Sequence, residues 1–121
     1  MKLATWNVNS ARARRPRLLD WFDQRHPDVA CLQETKMSDA EFAEMFGEDL
    51  SRRGYAAAHH GDGRWNGVAI VSRAGLDDVR RGLLDQPGFP DPEARAMAAT
   101  CGGLRMWSMR RPRLRLNAFS R

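Results

Sequence analysis

Two residues able to hold a hard cation lie near the ends of two strand-like stretches. Asn7 falls toward the end of the alternating "KLATWNVN", and Glu34 follows "VACLQ". A carboxylate oxygen and an amide oxygen are both hard ligands, and Mg²⁺ takes few protein groups while keeping several waters. The plainer alternative is a strand-end amide and a surface charge. Lys36 could neutralise a phosphate or pair with an acid near Glu34, or be a solvated loop lysine. "ARARRPR" places Arg12, Arg14, Arg15 and Arg17 together. Such a cluster could grip a nucleic-acid backbone or simply solvate a helix entrance. Trp65, in "GDGRWNG", could stack on a base or sugar or cap the core. His59 and His60 occupy successive strand positions, so they point to opposite faces and at most one faces the site. An exposed strand end is the simpler reading of that pair.

For Asn7 and Glu34 to act together, the elements carrying them must end at one place. Lys2 to Asn9 alternates, with Leu3, Thr5, Asn7 and Asn9 on one side and Ala4, Trp6 and Val8 on the other, which is strand periodicity. Pro16 suits the first turn of a helix. Leu18, Leu19 and Phe22 give that helix its apolar side, and Pro27 stops it. Val29 to Gln33 is a second strand. Strand, helix and strand in this order form a βαβ unit, whose two strands are parallel. Parallel strands end on the same sheet edge, so Asn7 or Asn9, and Glu34, should meet there, at the edge where α/β sheets place their sites.

Downstream, Ser38 to Glu41 reads as a capping box, with Phe42, Met45 and Phe46 as the apolar stripe behind it. Gly47 or Gly54 would end that helix. "GYAAAHH" and "NGVAIVSR" read as strands joined by a Gly-rich turn. Residues 77–82 suggest a short strand and "LDQPGFPDPEA" a loop. Ala96 to Cys101 and Leu104 to Met109 suggest a hairpin across Gly102 and Gly103.

The chain has 121 residues, enough for one domain with one modest core. No run approaches a membrane span, and no secretory signal is legible at "MKLATWNVNS". A cytoplasmic protein is expected, with Cys31 and Cys101 as reduced core residues. The net charge of +5 is local in origin. Five of the 20 basic residues, all arginines, lie in 110–121 without an acid; the other 15 are matched by the 15 acidic groups. Overall charge therefore gives no argument for nucleic acid, and only local basic clusters do.

"ATWNVNS", "PDVACLQETK" and "NGVAIVSR", taken together in that order and spacing, resemble the exonuclease III (abasic-site endonuclease) branch of the endonuclease/exonuclease/phosphatase superfamily. The resemblance covers residues 1–109, less than half of a complete member. It implies the N-terminal part of a four-layer α/β sandwich, two facing mixed sheets with outer helices. It also implies Mg²⁺- or Mn²⁺-dependent hydrolysis of DNA phosphodiesters in base excision repair. The substrate would be double-stranded DNA with abasic sites or 3′-blocked ends, and the protein a monomer if it folds. By resemblance Glu34 is a metal ligand, and Asn7 lies beside the metal and orients catalytic groups. Asn9 falls where some relatives have an aspartate, and Lys36 lies one layer further out. Arg12, Arg14, His60 and Trp65 are the candidate DNA contacts.

Complete members also carry an active-site tyrosine, an Asp-x-Asn pair and an Asp-His pair in their second half. Here no Tyr follows Tyr55, no Asp follows Asp91 and no His follows His60. No complete catalytic set is expected, and the chain is expected to be inactive alone. A non-catalytic nucleic-acid-binding fragment is the alternative. A superfamily phosphatase acting on a phospholipid or inositol phosphate is a third reading, which "LQETK" and the arginines disfavour. Residues 110–121 read as an Arg-rich tail outside the family pattern. With 18 Arg against two Lys, GC-rich coding DNA and a frameshift near residue 109 would account for it. Uncovered apolar sheet surface is expected, and with it marginal stability, aggregation or dependence on a partner.

Overall fold

A computed structural model describes residues 1–82 and 96–109. Its elements are β1 (Leu3–Asn7), α1 (Arg15–Arg25), β2 (Val29–Gln33), α2 (Asp39–Arg52), β3 (Ala56–His60), β4 (Val68–Ser72), β5 (Asp77–Arg81), β6 (Ala96–Cys101) and β7 (Leu104–Met109). The first sheet runs β1-β2-β4-β3 and the second β5-β6-β7. The expected loop from Leu84 to Ala94 and the 110–121 tail lie outside the described residues.

Local signals account for both helices. Pro16 sits in the first turn of α1, where its missing N–H costs nothing. Leu18, Leu19 and Phe22 form its buried side. His26 then turns left-handed (φ 46°), donates its N–H to the Phe22 carbonyl, and Pro27 follows. The α2 capping box is complete: Ser38 Oγ accepts the Glu41 N–H at 3.1 Å, and the Ser38 N–H reaches Glu41 Oε1 at 2.9 Å. The helix passes through Gly47 and ends at Arg52, ahead of Gly54 (φ 83°). Ser38→Ala should cost about 1 kcal/mol, read as a lower urea midpoint with an unchanged slope.

β1 and β2 are parallel, with Asn7 opposite Gln33, as the βαβ reading requires. β4 joins β2 and β3 antiparallel, so the sheet is mixed. β2 and β4 are apolar except for their last residues, Gln33 and Ser72, because both their faces are covered. Ala30, Leu32, Ala69 and Val71 pack under Leu18, Phe22, Phe42 and Phe46 of the helices. Val29, Cys31, Val68 and Ile70 pack against Met97, Ala99 and Cys101 of the second sheet. The described residues thus stack helices, sheet and sheet, three layers of the expected α/β sandwich. Cys31 and Cys101 are free thiols in the inter-sheet core. Burial, then the neighbouring Cys101, pushes the Cys31 thiol up to about 11.

One strand is shorter than its alternation suggests. β1 ends at Asn7 rather than Asn9, because Asn9 and Ser10 take left-handed backbone (φ 44° and 87°) and turn the chain out of the sheet. Apolar strand side chains are exposed at Leu3 (48%), Trp107 (52%) and Met109 (44%).

Candidate functional site

The C-terminal edge of β1 and β2 gathers Asn7, Asn9, Glu34 and Lys36. Asn7 Nδ2 donates to Glu34 Oε2 at 2.7 Å. The orientation of the Asn7 amide follows from its other contact: Oδ1 accepts the Asn9 N–H at 3.2 Å, and a backbone N–H can only donate. The amide nitrogen must therefore face the carboxylate. Asn7 is placed to orient Glu34. Lys36 Nζ donates to Asn9 Oδ1 at 2.8 Å, so the second asparagine holds the ammonium.

The backbone beneath these side chains is unusual. Glu34 and Lys36 both have φ 55°, and Asn66 beside them has the same value. Left-handed backbone is uncommon outside glycine and survives where neighbours hold it. Here the Ser10 N–H bonds the Glu34 carbonyl (2.8 Å) and the Ala11 N–H the Thr35 carbonyl (3.0 Å). The Thr35 N–H bonds the Gly67 carbonyl (3.0 Å) and the Lys36 N–H the Asn66 carbonyl (2.8 Å). Two loops thus clamp the turn from either side.

His59 departs from its expected exposure. It is 5% exposed, stacks on Phe42 with centroids 4.4 Å apart, and lies between Thr35 Oγ1 and Asp39 Oδ1, each at 2.7 Å. It is buried because α2 covers that face of the edge strand β3, which alternation alone does not reveal. Burial holds the imidazole below its ordinary value of 6.5, against the opposing pull of Asp39. The folded chain therefore resists protonation at His59 while the unfolded chain accepts it. His59 should contribute a loss of stability that begins as pH falls below about 6.5 and levels off below its folded pKa. Urea midpoints at about pH 7.5 and 5.5 for the native chain and His59→Gln should show the larger drop in the native chain.

The predicted DNA contacts are not gathered at one point. Arg12 pairs with Glu41 at 2.7 Å. Arg14 Nε donates to the Val8 carbonyl at 3.2 Å. Arg14 and Arg17 line an open groove of about 640 Å³ beside Asn7, Trp6 and Trp21. Trp65 is 65% exposed in the β3–β4 turn, and His60 is half-buried at the end of β3. Thr35 and Asn66, which hold the turn with His59, lie inside the segments "PDVACLQETK" and "NGVAIVSR" that carry the resemblance, but nothing in their type or spacing marks them as site residues. Among the described residues no group of three or more His, Cys, Asp or Glu converges to cage a metal. No described helix is long and apolar enough to cross a membrane.

The sequence pattern of the Endonuclease/Exonuclease/phosphatase family matches residues 4–115. The chain belongs to the endonuclease/exonuclease/phosphatase family. Among relatives of that family, it is 37% identical over 83 residues to an exodeoxyribonuclease III of Haemophilus influenzae, covering 69% of this chain and 30% of the relative. It is 31% identical over 101 residues to the DNA repair nuclease APEX1 of Danio rerio, covering 82% and 32%. A Neisseria 3′ phosphatase, NExo, bound to a product DNA hairpin superposes with a TM-score of 0.80 at 38% identity, covering 90% of this chain and 40% of that one. An AP endonuclease from Archaeoglobus fulgidus gives 0.80 at 35%, covering 91% and 40%. The chain thus spans about a third of the length of these curated relatives and 40% of the solved structures.

Proposed function

We propose that this chain carries the metal-binding edge of a Mg²⁺- or Mn²⁺-dependent DNA phosphodiesterase of the exonuclease III and abasic-endonuclease kind, serving base excision repair in the cytoplasm. We propose also that it does not complete the catalytic site alone. The observation that carries this is the 2.7 Å bond from Asn7 to Glu34 at the shared end of two parallel strands. One oriented carboxylate fits a hard dication that keeps most of its waters, and it does not fit a closed Cys/His cage. Glu34 is the ligand. Asn7 aims it, in place of supplying a second oxygen. Asn9 holds Lys36 where its ammonium can balance phosphate charge. The bound ion would polarise a phosphate oxygen and stabilise the charge of the transition state.

Arg14 and Arg17 line a groove that Asn7 also lines, and Trp65 offers a stacking face elsewhere, in the β3–β4 turn. The proposed partner, duplex DNA with an abasic or 3′-blocked end, rests on the relatives, which include an AP endonuclease and a 3′ phosphatase bound to a DNA hairpin. The chain has no tyrosine, aspartate or histidine beyond residues 55, 91 and 60 respectively. Of the histidines before that point, His59 is engaged by Thr35 and Asp39. Within these 121 residues no group is assigned to deprotonate water, and such a group contributes on the order of 10²–10⁴ in rate.

The test is incision of an abasic-site duplex with Mg²⁺, alongside Glu34→Ala, with binding followed across salt concentration. Binding that weakens steeply with salt, without cleavage above the variant's background, is expected. Cleavage that vanishes in Glu34→Ala would overturn the inactivity. Absence of DNA binding would overturn the DNA reading.

A further inference from the structure

Thr35 sits between two left-handed residues, Glu34 and Lys36, and is wholly buried. Its N–H, its carbonyl and its hydroxyl are all engaged, the last with His59 Nε2 at 2.7 Å. His59 Nδ1 in turn lies 2.7 Å from Asp39 Oδ1, which also accepts the Gly61 N–H at 3.0 Å. A carboxylate can only accept, so the imidazole proton sits on Nδ1. Nε2 is then the acceptor, and the Thr35 hydroxyl donates to it. Phe42 stacks on the ring at 13° and keeps it from turning. The first turn of α2 thus reaches, through one imidazole, the residue next to Glu34.

We propose that Asp39, His59 and Thr35 form a positioning relay that fixes the direction of the Glu34 carboxylate and so sets metal affinity. The relay rests on Glu34 being the metal ligand. Thr35 does not touch the metal; it holds the turn on which Glu34 stands. Without its hydroxyl bond, the turn keeps its backbone contacts but loses the tie to α2, and Glu34 samples directions in which it cannot bind.

Mn²⁺ binding to the full chain, read from the free-ion paramagnetic resonance signal, tests this. Thr35→Val, which keeps shape and removes the hydroxyl, should weaken Mn²⁺ by about tenfold, as loss of such outer support does elsewhere. Thr35→Ser should restore it. Asp39 is largely exposed (54% for its side chain), so Asp39→Ala leaves the core intact should Thr35→Val fail to fold. It too should weaken binding, while Asp39→Asn, which still accepts from Nδ1, should not. Glu34→Ala separates the two claims. If it binds Mn²⁺ as the native chain does, Glu34 is not the ligand and the site itself is wrong. If it loses Mn²⁺ while Thr35→Val and Asp39→Ala bind normally, the site stands and the relay is overturned.

Discussion

Gly67→Ala should destabilise the protein by roughly 2–5 kcal/mol, a large part of the ~5–15 kcal/mol typical of a domain this size. Two costs combine. Gly67 has φ 88°, and an L-residue held in left-handed backbone costs about 1–2 kcal/mol. A methyl there would also overlap Thr35 Oγ1 and lie 3.2 Å from the Lys36 nitrogen. Thr35 is fully buried and bonded to His59, so it cannot retreat, and overpacking costs about 1–3 kcal/mol. The melting temperature should fall by about 10 °C or more. Gly47→Ala is the control. Gly47 lies within α2, and a methyl added there would meet nothing within 4 Å, so alanine should stabilise by roughly 0.5–1 kcal/mol. A Gly67→Ala protein melting with the native chain would show that the clamped turn yields easily, and the account of the site would fail with it.

Glu34→Ala should lower Mn²⁺ affinity by on the order of 100-fold, since outer supports alone cost about 10–100-fold and this is the ligand they support. Charge is the main reason, and Glu34→Gln removes it while keeping one oxygen. Glutamine keeps the length of the side chain and an oxygen to accept from Asn7 Nδ2, the bond now 2.7 Å long. It loses the negative charge, and one carboxylate oxygen becomes an NH₂ that cannot ligate, so its affinity should fall nearly as far. Both substitutions leave the Ser10 N–H bond to the residue 34 carbonyl in place, so the turn persists. Titration calorimetry with Mn²⁺ checks this, and a Gln variant that binds like the native chain would mean that neutral oxygens suffice.

The legible parts of this molecule are those whose cause is local or periodic. Pro16 and Pro27 bracket α1, Ser38 and Glu41 cap α2, and two apolar runs, Val29 to Leu32 and Val68 to Val71, are the two-faced strands β2 and β4. That the end of β1 meets Glu34 is legible too, because parallel strands share an edge, although not that Asn7 rather than Asn9 makes the bond. The setting of His59 is not. Alternation separates it from His60 but does not say which face α2 covers, and its three partners come from a turn and from two positions on α2. The left-handed turn is equally hidden. Asn9 and Asn66 tolerate such backbone, but Ser10, Glu34 and Lys36 carry no signature of it. They adopt it because bonds from the β1–α1 and β3–β4 loops converge on them, which is a tertiary fact.

The central claim is that a hard dication binds at the end of β1 and β2, on Glu34. Amide-resolved nuclear magnetic resonance spectra of the ¹⁵N-labelled chain, titrated with Mn²⁺, test it most directly. Broadening should appear first at Asn7, Glu34, Thr35 and Lys36, and disappear from them in Glu34→Ala. Broadening centred on another part of the chain, or undiminished in that variant, would contradict the claim.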